Sequence, residues 1–149
     1  MAVRVQREDF DCGAEIAALT SGRTEIGAVV TFSGLVRDSG GLASLELEHY
    51  PGMTEKALAA IEAEAVSRWE LQASLVIHRY GRLAPGDRIM MVATASRHRQ
   101  AAFEAAEFLM DYLKSRAPFW KKEHRVDGST GAWVEAKDSD DAALARWAR

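Results

Sequence analysis

The segment LVIHRYGRLAPGDRIMMVATASRHRQAAFEAAEFLMDYLKSRAP, running from Leu75 to Pro118, decides the fold. Leu75, Ile77 and the alternate residues to Tyr80 follow the period of two that sets one face of a β-strand. The turn signal Pro85-Gly86-Asp87 closes that strand, and Ile89, Met91, Ala93 and Ala95 resume the alternation beyond it. An antiparallel pair joined by a longer loop is the consequence. The period then changes. Ala102, Ala106, Leu109 and Leu113 recur at i, i+4, i+7 and i+11, with Phe103 and Met110 flanking them, which is one face of a helix over about 100–116. Pro118 ends it, because proline has no N–H to continue the ladder.

Outward from this segment the same two periods recur. GAVVTFSGL, Gly27 to Leu35, is β-branched and aromatic enough for a strand with both faces at least partly buried. The polar loop Arg37-Asp38-Ser39-Gly40-Gly41 follows, and Leu45, Leu47 and His49 alternate with Glu46 and Glu48. The two strands read as a hairpin with a flexible tip. After Tyr50-Pro51-Gly52, the spacing of Leu58, Ile61, Ala65 and Trp69 marks a second helix with Thr54 as its N-cap. Phe119 to His124, a turn over Asp127 to Gly131, and Trp133 to Glu135 read as a last hairpin. A short strand near Val3 to Val5, a short helix over Asp11 to Leu19 and an acidic, helical tail from Asp138 to Trp147 complete the pattern. No repeat or linker interrupts it. The reading is one α+β domain over residues 1–149, with an antiparallel sheet and two principal helices.

Composition narrows the function classes. At 149 residues and 16.4 kDa the chain is long enough to bury roughly 68–70 % of its unfolded surface, so no staple is required. Cys12 is the only cysteine, which excludes an internal disulfide and a CxxC pair and suits a reducing compartment. Arg4 interrupts the apolar N-terminal stretch, and no run is long enough to cross a bilayer, so a cytoplasmic protein with no membrane association is expected. Nineteen Lys and Arg against 22 Asp and Glu give a net charge of −3, which argues against wholesale nucleic-acid binding. Any anionic partner must meet a local patch.

The chemical inventory is short. His49, His78, His98 and His124 have no partner at a recognised ligand spacing, so no metal is expected, and no motif for ATP, dinucleotide or serine chemistry occurs. No cofactor is expected either. Cys12 has no basic neighbour to make it a nucleophile and reads as a small buried hydrophobe. Arg97, His98 and Arg99 immediately precede the second long helix, where free N–H groups and the dipole favour a phosphate or carboxylate. The same pattern is also that of a solvated turn. Lys114, Arg116, Lys121, Lys122, His124 and Arg125 form a second basic cluster around Phe119 and Trp120. A lysine crowded by other cations has its ammonium form disfavoured and can serve in proton transfer. A basic helix end followed by a core strand produces the same sequence. Arg37, in the loop after Leu35, is a third candidate anion contact or an ordinary solvated arginine.

Five segments in register, GAVVTFSGLVR (Gly27–Arg37), LELEHYPGMTEKAL (Leu45–Leu58), VIHRYGRLAPGD (Val76–Asp87), SRHRQAAFEA (Ser96–Ala105) and MDYLKSRAPFWKKE (Met110–Glu123), closely resemble the large, catalytic subunits of molybdopterin synthases. The likeness runs from about residue 25 to Trp147. It implies an α/β hammerhead fold with an antiparallel β subdomain, and a homodimer that carries a small ubiquitin-like sulfur-carrier subunit at each end of a heterotetramer. It further implies that the carrier's C-terminal Gly-Gly thiocarboxylate delivers two sulfurs to cyclic pyranopterin monophosphate, forming the dithiolene of molybdopterin for molybdenum cofactor biosynthesis. Such a sulfurtransferase needs no cysteine of its own, because sulfur arrives on another chain.

By position, Lys114 and Lys121 match the family's two functional lysines. The resemblance implies that Lys114 holds the carrier terminus and assists acyl transfer, and that Lys121 acts as acid or base on the pterin side chain. Arg37, His98 and Arg99 match its anion-binding positions for the substrate phosphate. Lys122 and Glu123 fall in the stretch that lines the pterin pocket, where Glu123 can accept from ring N–H groups. Leu35 departs from relatives that often carry lysine there, and the loop from Asp38 to Leu42 is shorter than in some of them. Two other classes remain open at this point. One is a non-catalytic dimeric module that binds a ubiquitin-like carrier, and the other is a nucleic-acid binder using residues 114–125, whose affinity would fall steeply with salt.

Overall fold

The computed structural model describes residues 2–134 and 138–148. In chain order the elements are β1 (Ala2–Gln6), α1 (Cys12–Thr20), β2 (Ala28–Leu35), β3 (Leu42–His49), α2 (Met53–Trp69), β4 (Ala73–Arg79), β5 (Gly81–Leu83), β6 (Arg88–Ser96), α3 (Arg99–Ser115), β7 (Phe119–Arg125) and α4 (Asp138–Ala145). They form an α+β architecture with two sheets, one of four strands in the order β1-β4-β6-β2 and one of three in the order β5-β3-β7. The pair read from the decisive segment is present, since β4 and β6 run antiparallel from Ala73 opposite Ala95 to His78 opposite Met90.

Both faces of the larger sheet are covered, which is why its central strands are apolar without a break. Val76, Met90 and Val92 face α2 and α3, packing with Leu58, Ile61, Ala65, Phe108 and Leu109. The intervening Leu75, Ile77, Met91 and Ala93 face α1 and pack on Phe10, Cys12, Ile16 and Leu19. Polar groups tie the layers. Glu62 on α2, itself buried, accepts from the Ala2 amide at 3.1 Å and the Ser74 hydroxyl at 2.6 Å, so the carboxylate is satisfied where it joins β1 and β4. Thr94 on β6 donates to the Ala102 carbonyl of α3 at 2.6 Å.

Several expectations are corrected. β2 and β3 are consecutive in sequence but do not form a hairpin: β2 pairs with β6 and β3 pairs with β5 and β7. The loop between them crosses from one sheet to the other, and Val36 beside it is buried with Leu42, Leu47 and Leu83 between the sheets. Local alternation sets each strand's faces but not its partner. β2 is consequently an edge strand, and Phe32 is 39 % exposed rather than buried. The cap of α2 is Gly52, whose φ of 84° a side chain rarely adopts, and whose N–H donates to Glu55 at 2.6 Å. Thr54 lies inside the helix and is fully buried. Its hydroxyl accepts from the Tyr50 amide at 2.9 Å and donates to the Pro118 carbonyl at 3.4 Å. The last hairpin shrinks to single bridges, Lys121 to Val134 and His124 to Thr130, and Glu135 lies outside the described residues.

Candidate functional site

A cavity of about 530 Å³ opens between the two sheets and the C-terminal end of α3. Phe32 to Leu35 of β2 and Ile89 and Met90 of β6 form one wall; Leu45 and Leu47 of β3 face them. Lys114 enters from the last turn of α3, Lys121 from the middle of β7, and His78 from the end of β4. The lining holds two lysines, one histidine and no carboxylate among the described residues. Two lysines set against apolar walls, where screening is weak, favour an anion.

The local sequence explains why the two lysines converge. α3 ends at Ser115, and the Arg116 amide still donates to the Tyr112 carbonyl at 2.7 Å, so Lys114 stands in the final turn where a cation suits the dipole. Pro118 forces the chain out of the helix, and Phe119 begins β7. Along β7 the side chains alternate. Phe119, Lys121 and Glu123 oppose His49, Leu47 and Leu45, whereas Trp120, Lys122 and His124 oppose Glu48, Glu46 and Ser44. Lys121 therefore shares a face with the cavity-lining Leu47 and Leu45. The exchange of two hydrogen bonds between Lys121 and Val134, at 3.1 and 2.8 Å, holds its backbone in place.

The other candidates stand elsewhere on this chain. Lys122 is on the opposite face of β7, its ammonium 5.4 Å from the centre of the Trp133 ring. Glu123 pairs with Arg125 at 2.9 Å and is not among the residues lining the cavity. Arg37 is exposed just beyond β2. His98 is the N-cap of α3 and lines a separate cleft of about 390 Å³ with Arg97, Trp69 and Gln72, while the neighbouring Arg99 opens the helix in solvent. One chain thus brings Lys114 and Lys121 together and leaves Arg37, His98, Arg99, Lys122 and Glu123 off that cavity.

His78 is the cavity residue that sequence reasoning missed. Its ring is buried, stacked on Phe119 at 3.7 Å and 16° between planes, and its Nδ1 lies 2.8 Å from the Arg79 carbonyl oxygen. Burial pushes its pKa down to about 4, against the hydrogen bond to Arg79, and the nearby Lys114 charge adds to the depression. It is neutral at physiological pH. Its sequence signal was the period of β4, which puts Val76 and His78 on the α3 side of the sheet, but a histidine tested only for metal spacing does not register.

A model of the MoaE protein family matches residues 5–116, more than half of the chain. The chain belongs to the MoaE protein family. A MoaE relative from Mesorhizobium japonicum, a molybdopterin synthase catalytic subunit, is 67 % identical over 146 residues, which cover 97 % of this chain and 92 % of that one. The molybdopterin biosynthesis MoaE protein from Burkholderia ambifaria superposes with a TM-score of 0.85 at 54 % identity over 99 % of both chains. The X-ray crystal structure of molybdopterin synthase from Staphylococcus aureus superposes with a TM-score of 0.79 at 31 % identity, covering 88 % of this chain and 95 % of that one. The family expected from the five motifs is the family found. Among the described residues, no helix of this MoaE chain is long and apolar enough to cross a membrane.

Proposed function

We propose that this chain is the catalytic subunit of a cytoplasmic molybdopterin synthase, acting as one domain over residues 1–149. It transfers two sulfurs from a thiocarboxylated, ubiquitin-like small subunit to cyclic pyranopterin monophosphate. The observation that carries the reading is the cavity itself: Lys114 and Lys121 stand in one space of about 530 Å³ with no carboxylate among the described lining residues. Both reactants are anionic, and two lysines converging on one space attract them. A thiocarboxylate is already a nucleophile, so the subunit's work is to seat it, neutralise it and move protons.

In this reading Lys114 holds the carrier's terminal anion, and Lys121 gives or takes a proton at the pterin side chain. The thiocarboxylate sulfur forms a bond to an electrophilic carbon of the pterin side chain, the carbon–oxygen bond at that carbon breaks, and the departing oxygen takes its proton from Lys121. Water then attacks the acyl carbon, the acyl C–S bond breaks, and the carrier departs as a carboxylate while the sulfur stays on the pterin. Arg37, His98 and Arg99 hold the substrate phosphate, with Lys122 and Glu123 bordering the pterin. His98 opens onto a cleft separate from the lysine cavity of its own chain. The homodimer reconciles these positions by letting His98 and Arg99 serve the cavity of the other protomer.

The test is a single-turnover assay with the purified chain, thiocarboxylated carrier and cyclic pyranopterin monophosphate, following dithiolene product. Product from wild type and its loss in Lys114→Ala and Lys121→Ala is the expected result. A stable carrier complex that forms no product would instead assign the chain to non-catalytic carrier binding.

A further inference from the structure

We propose that His78 is a binding residue for the pterin substrate: its Nε2, unpartnered within the protein and open to the cavity, accepts a hydrogen bond from an N–H on the edge of the heterocycle. The identity of that donor rests on the sulfur-transfer reading given above.

Burial, tautomer and orientation make the imidazole an acceptor aimed at a ligand. His78 is only 8 % exposed, and its ring lines the cavity. A carbonyl oxygen only accepts, so the 2.8 Å contact between Nδ1 and the Arg79 oxygen puts the ring proton on Nδ1 and leaves a lone pair on Nε2. Among the described residues no donor reaches Nε2. Yet it is not one of the polar atoms sealed from solvent without a partner, which are His49 Nδ1, Gln72 Oε1 and Ser115 Oγ. Its remaining surface therefore opens into the cavity. The stack on Phe119 and the bond to Arg79 together fix the ring plane, and with it the direction of the lone pair.

The chemistry of the lone pair selects the ligand. It repels an oxyanion, so the anionic parts of the reactants are left to the cations and His78 takes a neutral donor. Of the buried residues in the lining, Leu47, His78, Met90 and Leu113, only His78 has a hydrogen-bonding side chain. A single placed acceptor among apolar side chains is the arrangement that fixes the orientation of a small molecule. A thiocarboxylate terminus brings only acceptors to this depth, and a peptide group behind it would bring a carbonyl that these buried side chains cannot satisfy. A flat nitrogen heterocycle presents N–H groups along an edge and apolar faces to the walls. Of the two reactants, the pterin has that form.

The test is binding of cyclic pyranopterin monophosphate to wild type, His78→Phe and His78→Gln, by calorimetry and by the KM of sulfur transfer at saturating carrier. His78→Phe keeps a ring for Phe119 to stack on and removes the acceptor, whereas His78→Gln keeps a neutral acceptor. Loss of one buried hydrogen bond should weaken substrate binding about tenfold in His78→Phe, and His78→Gln should recover part of it. The loss should fall on KM more than on kcat, because the bond is made in ground and transition states alike, and carrier affinity should keep its wild-type value. A second measurement needs no variant: nitrogen shifts of wild-type His78 should place the proton on Nδ1, and the Nε2 resonance should move on adding the pterin but not on adding inorganic phosphate. A folded His78→Phe protein that binds the pterin as wild type does overturns the proposal. So does a proton on Nε2, or an Nε2 resonance indifferent to the pterin. Loss of carrier affinity in place of pterin affinity would assign the donor to the carrier and overturn it as well. A wild-type protein that neither binds the pterin nor transfers sulfur brings down the functional reading, and the pterin assignment with it.

Discussion

His78 should make this protein acid-sensitive by a calculable amount. Its pKa falls from the ordinary 6.5 to about 4 because burial disfavours the charged ring. Above pH 6.5 the imidazole is neutral in folded and unfolded chains alike and contributes no pH dependence. As pH falls from 6.5 toward 4, the unfolded chain takes up a proton that the folded one refuses, so stability is lost across that window. Below 4 both states are protonated and the loss is complete. The drop from 6.5 to about 4 corresponds to about 3 kcal/mol, most of it spent before pH 4.5. The measurement is urea unfolding of wild type and His78→Gln at several pH values between 7.5 and 4.5, taking free energies from midpoints and slopes. Other groups titrate identically in the two proteins, so the difference between them isolates His78. The variant should lose less stability than wild type on acidification, by about 2–3 kcal/mol. Parallel curves for the two proteins would refute the burial argument and mean that water or a rearranged Phe119 solvates the ring.

The remaining predictions concern the lysines, one close backbone contact and the core. Lys114→Ala and Lys121→Ala should each slow single-turnover sulfur transfer about 10- to 100-fold, the value of one charge-assisted hydrogen bond, and should stall at different intermediates. Stalling at the same intermediate, checked by mass spectrometry of quenched reactions, would remove the division of roles. Gly27→Ala should destabilise the protein by about 1–3 kcal/mol, because its Cβ would stand 2.2 Å from the Arg97 carbonyl oxygen, which is backbone and must shift. Thermal unfolding checks the cost, and phosphate binding checks whether the displaced Arg97–Arg99 segment matters to the anion. Phe108→Ala should cost about 3–5 kcal/mol in urea unfolding, since its fully buried ring touches Trp69, Tyr112 and Trp147 at 4.5 to 5.6 Å between centres.

By itself the sequence determined the elements and the family. Periods of two and 3.6 are local properties, so Leu75 to Ala95 reads as paired strands and Ala102 to Leu113 as a helix without reference to the rest of the chain. The five motifs identify the MoaE protein family for the same reason, each being a contiguous string. Spacing showed Lys114 and Lys121 only as members of a basic cluster that an ordinary helix end also explains; the resemblance singled them out, and the fold of a helix end, a proline and a strand start brings both to one cavity. Pairing was not legible. β2 faces β6 rather than β3 because Val36, Leu42, Leu47 and Leu83 gain more from burial between two sheets than a hairpin would give, and that gain comes from residues up to β5. The same long-range packing buried His78, which sequence spacing had weighed only as a metal ligand, beside Lys114 as a neutral ring, put Lys122 on the far face of β7, and set His98 at a cleft apart from the lysines. A side chain's charge, tautomer and company depend on what is folded against it, and only tertiary structure supplies that.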